Sequence, residues 1–235
     1  MCLKPIRSKS NSRYFSVHNY SKMLLEYPCG QCAECKQAKR NEHYLRSYWQ
    51  VRATHDQDGY VLFDTLTYDE QHVPHASDFF SCVSKDKDFM CFNPEHYKSF
   101  MDKLKKRLER RGYDVRHNMA YDYVTEYGTS DTYTDPSGRV HKGTHRPHYH
   151  ILLYVVGENK PEPAVLSDII SDCWTFGRTD GIRYRDRAYF NHNVFWKTCG
   201  QFRMNGLTMY ISKYITKDSD FQSVLDSRCK AIIPT

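Results

Sequence analysis

The chain has no apolar run long enough to cross a bilayer, no GxxxxGK[ST] loop, no internal repeat and no linker rich in proline, serine or glycine. The first absence points away from a membrane-spanning helix. The second points away from an ATP-driven motor of the P-loop kind, so any helicase work is expected from a partner. The third excludes repeat architectures. The opening MCLKPIRSKS lacks the apolar stretch of a secretory signal, so a soluble protein of a reducing compartment is expected. A strong excess of one charge is also missing. The 34 Lys+Arg against 28 Asp+Glu leave a formal +6, which permits a polyanionic partner without requiring one. At 235 residues, with 40% hydrophobic and 26% charged side chains, the chain is long enough for one sizeable core and is neither fibrous nor wholly disordered. Aromatics are abundant instead: 19 Tyr and 12 Phe. Nine cysteines in a reducing compartment read as metal ligands before disulfides.

The first 28 residues are polar and Ser-rich. From Pro28 the sequence predicts a knuckle followed by a helix, with Ala33, Ala38, Leu45 and Trp49 as its apolar stripe and Lys36, Lys39, Arg40 and Arg46 making much of the rest basic. GYVLFDTLTY (59–68), MAYDYVTEY (119–127) and HYHILLYVV (148–156) read as strands. Between the first two lies the clearest helix, with Asn93 as N-cap, Pro94 at its first position and Gly112 as terminator. Its Tyr97, Phe100, Met101, Leu104 and Leu108 fall at helical spacing, and Lys103, Lys105, Lys106, Arg107, Arg110 and Arg111 crowd the other faces. Residues 161–177 predict a helix with Leu166, Ile169, Ile170, Cys173 and Trp174 inward, 181–186 a short strand, and 206–218 a helix capped by Asn205. Trp49, Trp174 and Trp196 are expected in the core, as are Cys82, Cys91, Cys173, Cys199 and Cys229. Strands and helices interleave as in one α+β domain.

Three groups carry chemistry. His148 and His150, two apart on a strand, project from one face and make half of a metal site. Two chance histidines on a half-exposed strand are the plain alternative. In YDYVTEY, Asp122, Val124 and Glu126 share a face, so Glu126 can add a carboxylate if that strand pairs with the histidine strand. Two imidazoles and a carboxylate with open positions suit Mg²⁺ or Mn²⁺ acting on a phosphate. On the last helix Tyr210, Tyr214 and Lys217 align at i, i+4 and i+7, two phenols and an ammonium on one side. Amphipathic packing is the bland reading; tyrosine nucleophiles beside a cation are the sharp one. Separately, Cys29-x-x-Cys32-x-x-Cys35 is a compact thiolate cluster that Cys2 could complete as a Cys₄ Zn²⁺ site.

PCGQCAEC (28–35), DTLTYDEQHVP (64–74), TEYG (125–128), RPHYHILLY (146–154) and YISKYITK (210–217), in that order, resemble the HUH endonuclease superfamily of rolling-circle initiators. In more detail the chain resembles replication initiators of microvirus (gokushovirus-like) single-stranded DNA phages. It departs from the common pattern in the 129–145 excursion and in Asp64, where an apolar strand residue is usual.

The resemblance implies an RRM- or ferredoxin-like domain at 56–235, its central antiparallel sheet flanked by helices, with a Cys-rich segment and basic helix at 1–55. It implies a metal on Glu126, His148 and His150, attack by Tyr210 or Tyr214 on a single-stranded DNA origin, and a 5′-phosphotyrosine. Host helicase and polymerase are the implied partners, in the cytoplasm of a bacterial host, without a membrane. Lys36, Lys39, Arg40, Lys103, Lys106, Arg107 and Arg110 are expected to track DNA phosphates. A zinc-stabilised, non-enzymatic nucleic-acid-binding protein is the competing reading, and a related HUH transposase or plasmid initiator a third.

Overall fold

The computed structural model describes residues 2–9, 24–81, 83, 88–128, 132–134, 138–143, 145–179, 194–195, 208 and 212. In chain order the elements are β1 (Ile6–Lys9), β2 (Leu24–Tyr27), α1 (Ala33–Asp56), β3 (Tyr60–Tyr68), α2 (Ala76–Phe79), α3 (Pro94–Arg110), α4 (Val115–Asn118), β4 (Met119–Tyr127), β5 (Thr132–Thr134), β6 (Val140–Lys142), β7 (Pro147–Val155), α5 (Pro163–Cys173), β8 (Gly177–Thr179) and β9 (Val194–Phe195). This is an α+β chain, as expected. Its main sheet runs β4-β7-β3-β8 with antiparallel neighbours, and β9 adds two residues to β3. The strand expected at 181–186 and the helix expected at 206–218 lie outside the described residues, except that Thr208 and Ser212 are helical. Cys82, Cys199, Cys229 and Trp196 lie outside as well. No helix among the described residues is long and apolar enough to cross a membrane.

Alternation along the strands gives the sheet two different faces. One carries Tyr60, Leu62, Leu66 and Tyr68 of β3 with Tyr149, Ile151, Leu153 and Val155 of β7, and is covered by α3 and α5. The five helical-spaced residues of α3 are all buried there, with Leu166, Ile169, Ile170, Cys173 and Trp174. The ends of α3 follow local chemistry. Asn93 Oδ1 accepts from the Glu95 amide at 3.0 Å, and Pro94 occupies a position where no amide is needed. Gly112, at φ +80°, turns the chain so that the Gly112 and Tyr113 amides donate to the Glu109 and Leu108 carbonyls. Asp64 points to this face and is fully buried; its Oδ1 accepts from the Thr65 amide at 2.7 Å.

The other face packs against α1 in a way the apolar stripe did not predict. Ala33, Ala38, Leu45 and Trp49 are exposed, Leu45 at 52% and Trp49 at 59%, so Trp49 is not core. The buried side is Cys35, His43, Ser47, Val51 and Thr54. The cause is a polar anchor. Ser47 Oγ donates to Asp122 Oδ2 on β4 at 2.9 Å, and His43 Nε2 lies 2.8 Å from the same oxygen. That contact turns the helix so that Val51 joins Val61, Val124, Leu152 and Tyr154 in a second, smaller cluster. At the helix end Gly59 lets β3 pass close, since a Cβ there would meet Val155 O at 2.3 Å. The 129–145 excursion contains the hairpin of β5 and β6.

Two substitutions distinguish the two helix faces. Leu104→Ala, inside the larger core, is expected to lower the unfolding free energy by about 2–5 kcal/mol. Trp49→Ala is expected to change it by about 0.5 kcal/mol or less. Urea unfolding followed by circular dichroism measures both, and a large loss from Trp49→Ala would contradict its exposed placement.

Candidate functional site

The pairing of β4 with β7 sets Glu126 directly opposite His148, and Val124 opposite His150. All three chemical groups emerge on the α1 side of the sheet, away from α3 and α5. His148 Nε2 lies 3.1 Å and His150 Nε2 2.8 Å from the same oxygen, Glu126 Oε2. Glu126 and His148 are mostly buried and His150 almost wholly so.

The outer nitrogens are held as well. His148 Nδ1 is 3.1 Å from the Arg146 carbonyl, which can only accept, so Nδ1 carries the hydrogen. The neutral tautomer then presents its lone pair on Nε2, toward Glu126. His150 Nδ1 is 3.0 Å from Thr65 Oγ1, and Phe63 stacks on the ring at 5.5 Å. Thr65 and the Arg146 carbonyl therefore orient the two imidazoles, as partners of metal-binding histidines do. Neither was singled out from the sequence. Thr65 had a usable signal, since it shares the face of its partner His150 in the β3–β7 register.

These residues fit a divalent cation. The three groups each offer one ligand atom, all within 4.8 Å of one another. An octahedral ion with bonds of about 2.1 Å has neighbouring ligands about 3.0 Å apart, close to the observed 3.1 and 2.8 Å. Two imidazoles and one carboxylate are compatible with several divalent metals.

Cys2, Cys29, Cys32 and Cys35 form the second cluster. The antiparallel pairing of β1 with β2 returns the chain so that Cys2 lies beside Cys29. Cys2 Sγ is 3.8 Å from Cys32 Sγ, and Cys29 Sγ is 3.9 Å from Cys35 Sγ. A tetrahedron of sulfurs around zinc, with bonds of about 2.3 Å, has edges of about 3.8 Å. The backbone at Gln31 and Cys32 draws the Cys29 thiol down to about 6. A backbone hydrogen bond at Gly30 pulls Cys35 the same way, but burial and the neighbouring sulfurs outweigh it and push that thiol up to about 12. All four cysteines are free of disulfides. Four thiols this close, one already inclined to ionise, suit a thiophilic cation.

The basic residues divide between the two faces. Lys36, Lys39 and Arg40 belong to α1, on the side of Glu126, His148 and His150. Lys103, Lys106, Arg107 and Arg110 belong to α3, across the sheet. Two of these already have partners: Lys103 Nζ donates to Thr175 Oγ1 at 3.2 Å, and Arg107 pairs with Asp172 at 2.7 Å. The structure does not bring the α3 cations to the His–Glu cluster. Tyr210, Tyr214 and Lys217 lie outside the described residues.

The comparisons with known proteins agree on one theme. A family model described as a replication-associated protein of the ORF2 type matches residues 61–219, a span that contains Glu126, His148, His150, Tyr210, Tyr214 and Lys217. The replication-associated protein ORF2 of Spiroplasma virus 4 is 26% identical over 232 residues, covering 92% of this chain and 60% of that protein. The chain thus spans 60% of the length of the curated relative it matches. No solved structure matches.

If the four thiols form a structural site, protein purified under reducing conditions carries about one Zn²⁺ per chain. Elemental analysis of the wild type against Cys29→Ser and Cys35→Ser reads this directly. Zinc content unchanged by both substitutions would remove the cluster as its holder.

Proposed function

Because the chain belongs to the replication-associated protein ORF2 family, we propose that it initiates replication of a single-stranded DNA phage of the microvirus kind, nicking and rejoining the origin strand as an HUH endonuclease. The observation that carries this reading is the convergence of His148 Nε2 and His150 Nε2 on Glu126 Oε2 in a shielded corner of the sheet. The order β3-α3-β4-β7-α5-β8, with both of these helices on one face, supports the RRM- or ferredoxin-like reading of the domain. In this scheme residues 56–235 carry the chemistry. The segment 1–55 supplies a zinc knuckle and a basic helix.

Glu126, His148 and His150 would hold the cation, with Mg²⁺ or Mn²⁺ the expected ions. Such an ion, when bound, polarises a phosphate and offsets its charge. The protein's own residues then perform the transfer. Oη of Tyr210 or Tyr214 attacks the scissile phosphorus, and a P–O bond to tyrosine forms as the bond to the 3′ oxygen breaks. The phenol gives up its proton and the leaving 3′ oxygen takes one. The products are a 5′-phosphotyrosine and a free 3′-OH for a host polymerase. An ordinary phenol titrates near 10, so at neutral pH it needs a neighbouring cation or base, a role for Lys217. The exchange keeps the phosphodiester's energy, so rejoining requires no nucleotide. The second tyrosine can cleave the regenerated origin while the first strand is released and closed. Lys36, Lys39 and Arg40 on α1 are the cations best placed to track the strand on the metal-facing side, and unwinding falls to a host helicase.

The thiol cluster favours a second reading, a zinc-stabilised binding protein without catalysis, and one assay separates the two. The protein is incubated with circular viral single strands and an oligonucleotide pool, in Mn²⁺ or EDTA, and run on a denaturing gel. The endonuclease reading predicts an SDS-resistant, metal-dependent adduct that disappears in Tyr210→Phe/Tyr214→Phe. An adduct that persists in the double variant would contradict it, and tight DNA binding with no adduct would favour the binding protein.

A further inference from the structure

A buried polar chain links α1, β4 and the segment of the two tyrosines, and the chemistry above leaves it unused. His43 Nδ1 lies 3.1 Å from Ser212 Oγ, His43 Nε2 lies 2.8 Å from Asp122 Oδ2, and Ser47 Oγ donates to that same carboxylate oxygen. The Nε2 contact is close but off the axis of the ring N–H, which makes it an ion pair more than an aligned hydrogen bond. Burial by itself would raise the Asp122 pKa, but the imidazole and the Ser47 hydroxyl outweigh it and hold the carboxyl below its ordinary value.

Packing alone does not call for these groups. His43, Ser47 and Ser212 are all buried, Ser212 at 1% exposure, and apolar side chains of similar size would fill the space without the cost of desolvating polar atoms. Ser212 is also too enclosed to meet a substrate, so the Ser–His–Asp sequence of contacts is not a nucleophilic triad. What a buried polar contact adds is direction, because it is satisfied in one register and unsatisfied in the next.

The register concerned is a consequential one. Asp122 stands on β4 four residues before Glu126 and on the same face of the sheet, about 13 Å away along the strand. Ser212 is helical and lies two positions from Tyr210 on one side and from Tyr214 on the other. Thr208, one helical turn earlier, is fully buried too, so positions 208 and 212 mark the packed side of that helix. A slip of one residue would rotate a helix by about 100° and shift it by about 1.5 Å.

We propose that His43, braced by Asp122, is a positioning residue that fixes Ser212 and so sets the height and rotation of the tyrosine segment against the strand carrying Glu126. The proposal rests on the nicking reading and extends it to residues that touch neither metal nor DNA.

The test uses the full chain, Mn²⁺ and an oligonucleotide that the wild type cleaves. Three quantities are measured: the single-turnover rate of adduct formation at saturating oligonucleotide, the oligonucleotide Kd and the unfolding midpoint. Ser212→Ala and His43→Ala are each expected to slow adduct formation by about tenfold to a hundredfold, with Kd within about twofold. The double variant should be no slower than the slower single one, because both remove the same link. His43→Asn, which keeps a donor near the Nδ1 position, should recover most of the rate. Unchanged rates in both single variants overturn the proposal. So do additive losses, or rate losses that only track the fall in folded protein. If the wild type forms no adduct at all, the nicking reading is what fails. The anchor is then read from amide exchange over residues 206–218: faster exchange in Ser212→Ala supports it, and unchanged exchange overturns it.

Discussion

Antiparallel pairing of β4 with β7 is the constraint on which the remaining architecture depends. The side-chain period of a strand is two, so a slip of one residue in β7 would send both histidines to the opposite face and bring Tyr149 out of the core. Apolar packing prevents that slip. Tyr149, Ile151, Leu153 and Val155 are buried beneath α3 and α5, and every one of them would have to leave the core for His148 and His150 to turn over. The polar site is therefore held in register by the hydrophobic surface behind it. Glu126 inherits its place in the same way, from Tyr127 and Met119, which pack on the larger core on the far side of β4.

The sheet thereby separates two tasks. Its α3/α5 face is apolar and aromatic and contains most of the buried side chains. Its α1 face is thinner, with five buried hydrophobic residues and a row of polar ones: Asp122, Glu126, His148 and His150. Such a face contributes less to stability, and it leaves room for a cation and a polyanion. The imidazoles do not depend on bound ligands for their orientation, because Thr65 and the Arg146 carbonyl hold their outer nitrogens. An arrangement of this kind is organised in advance, which is what electrostatic stabilisation of a phosphate requires.

Much of this was legible in the sequence, and the reasons are specific. The period of two in HYHILLYV and YDYVTEY sufficed to place Glu126 with His148 and His150, because a strand's alternation is rigid. The caps of α3 were legible because Asn93, Pro94 and Gly112 each serve one backbone function. The orientation of α1 was not. Leu45 and Trp49 looked like its core stripe, yet His43 and Ser47 are the residues turned inward, because a carboxylate 75 or more positions away in sequence outweighs the modest local gain from burying Leu45 and Trp49. No local pattern announces a partner that distant. The same holds for Cys2, whose position beside Cys29 depends on a hairpin in a segment with little periodicity.

The account stands on Glu126, His148 and His150 acting together as ligands of one divalent ion, and pulsed electron paramagnetic resonance of bound Mn²⁺ examines that most directly. The predicted spectrum shows modulation from imidazole nitrogen that weakens in His148→Ala and in His150→Ala and vanishes in the double variant. Bound Mn²⁺ with only water and carboxylate around it, and no nitrogen modulation in the wild type, would contradict the assignment of this corner of the sheet as the metal site.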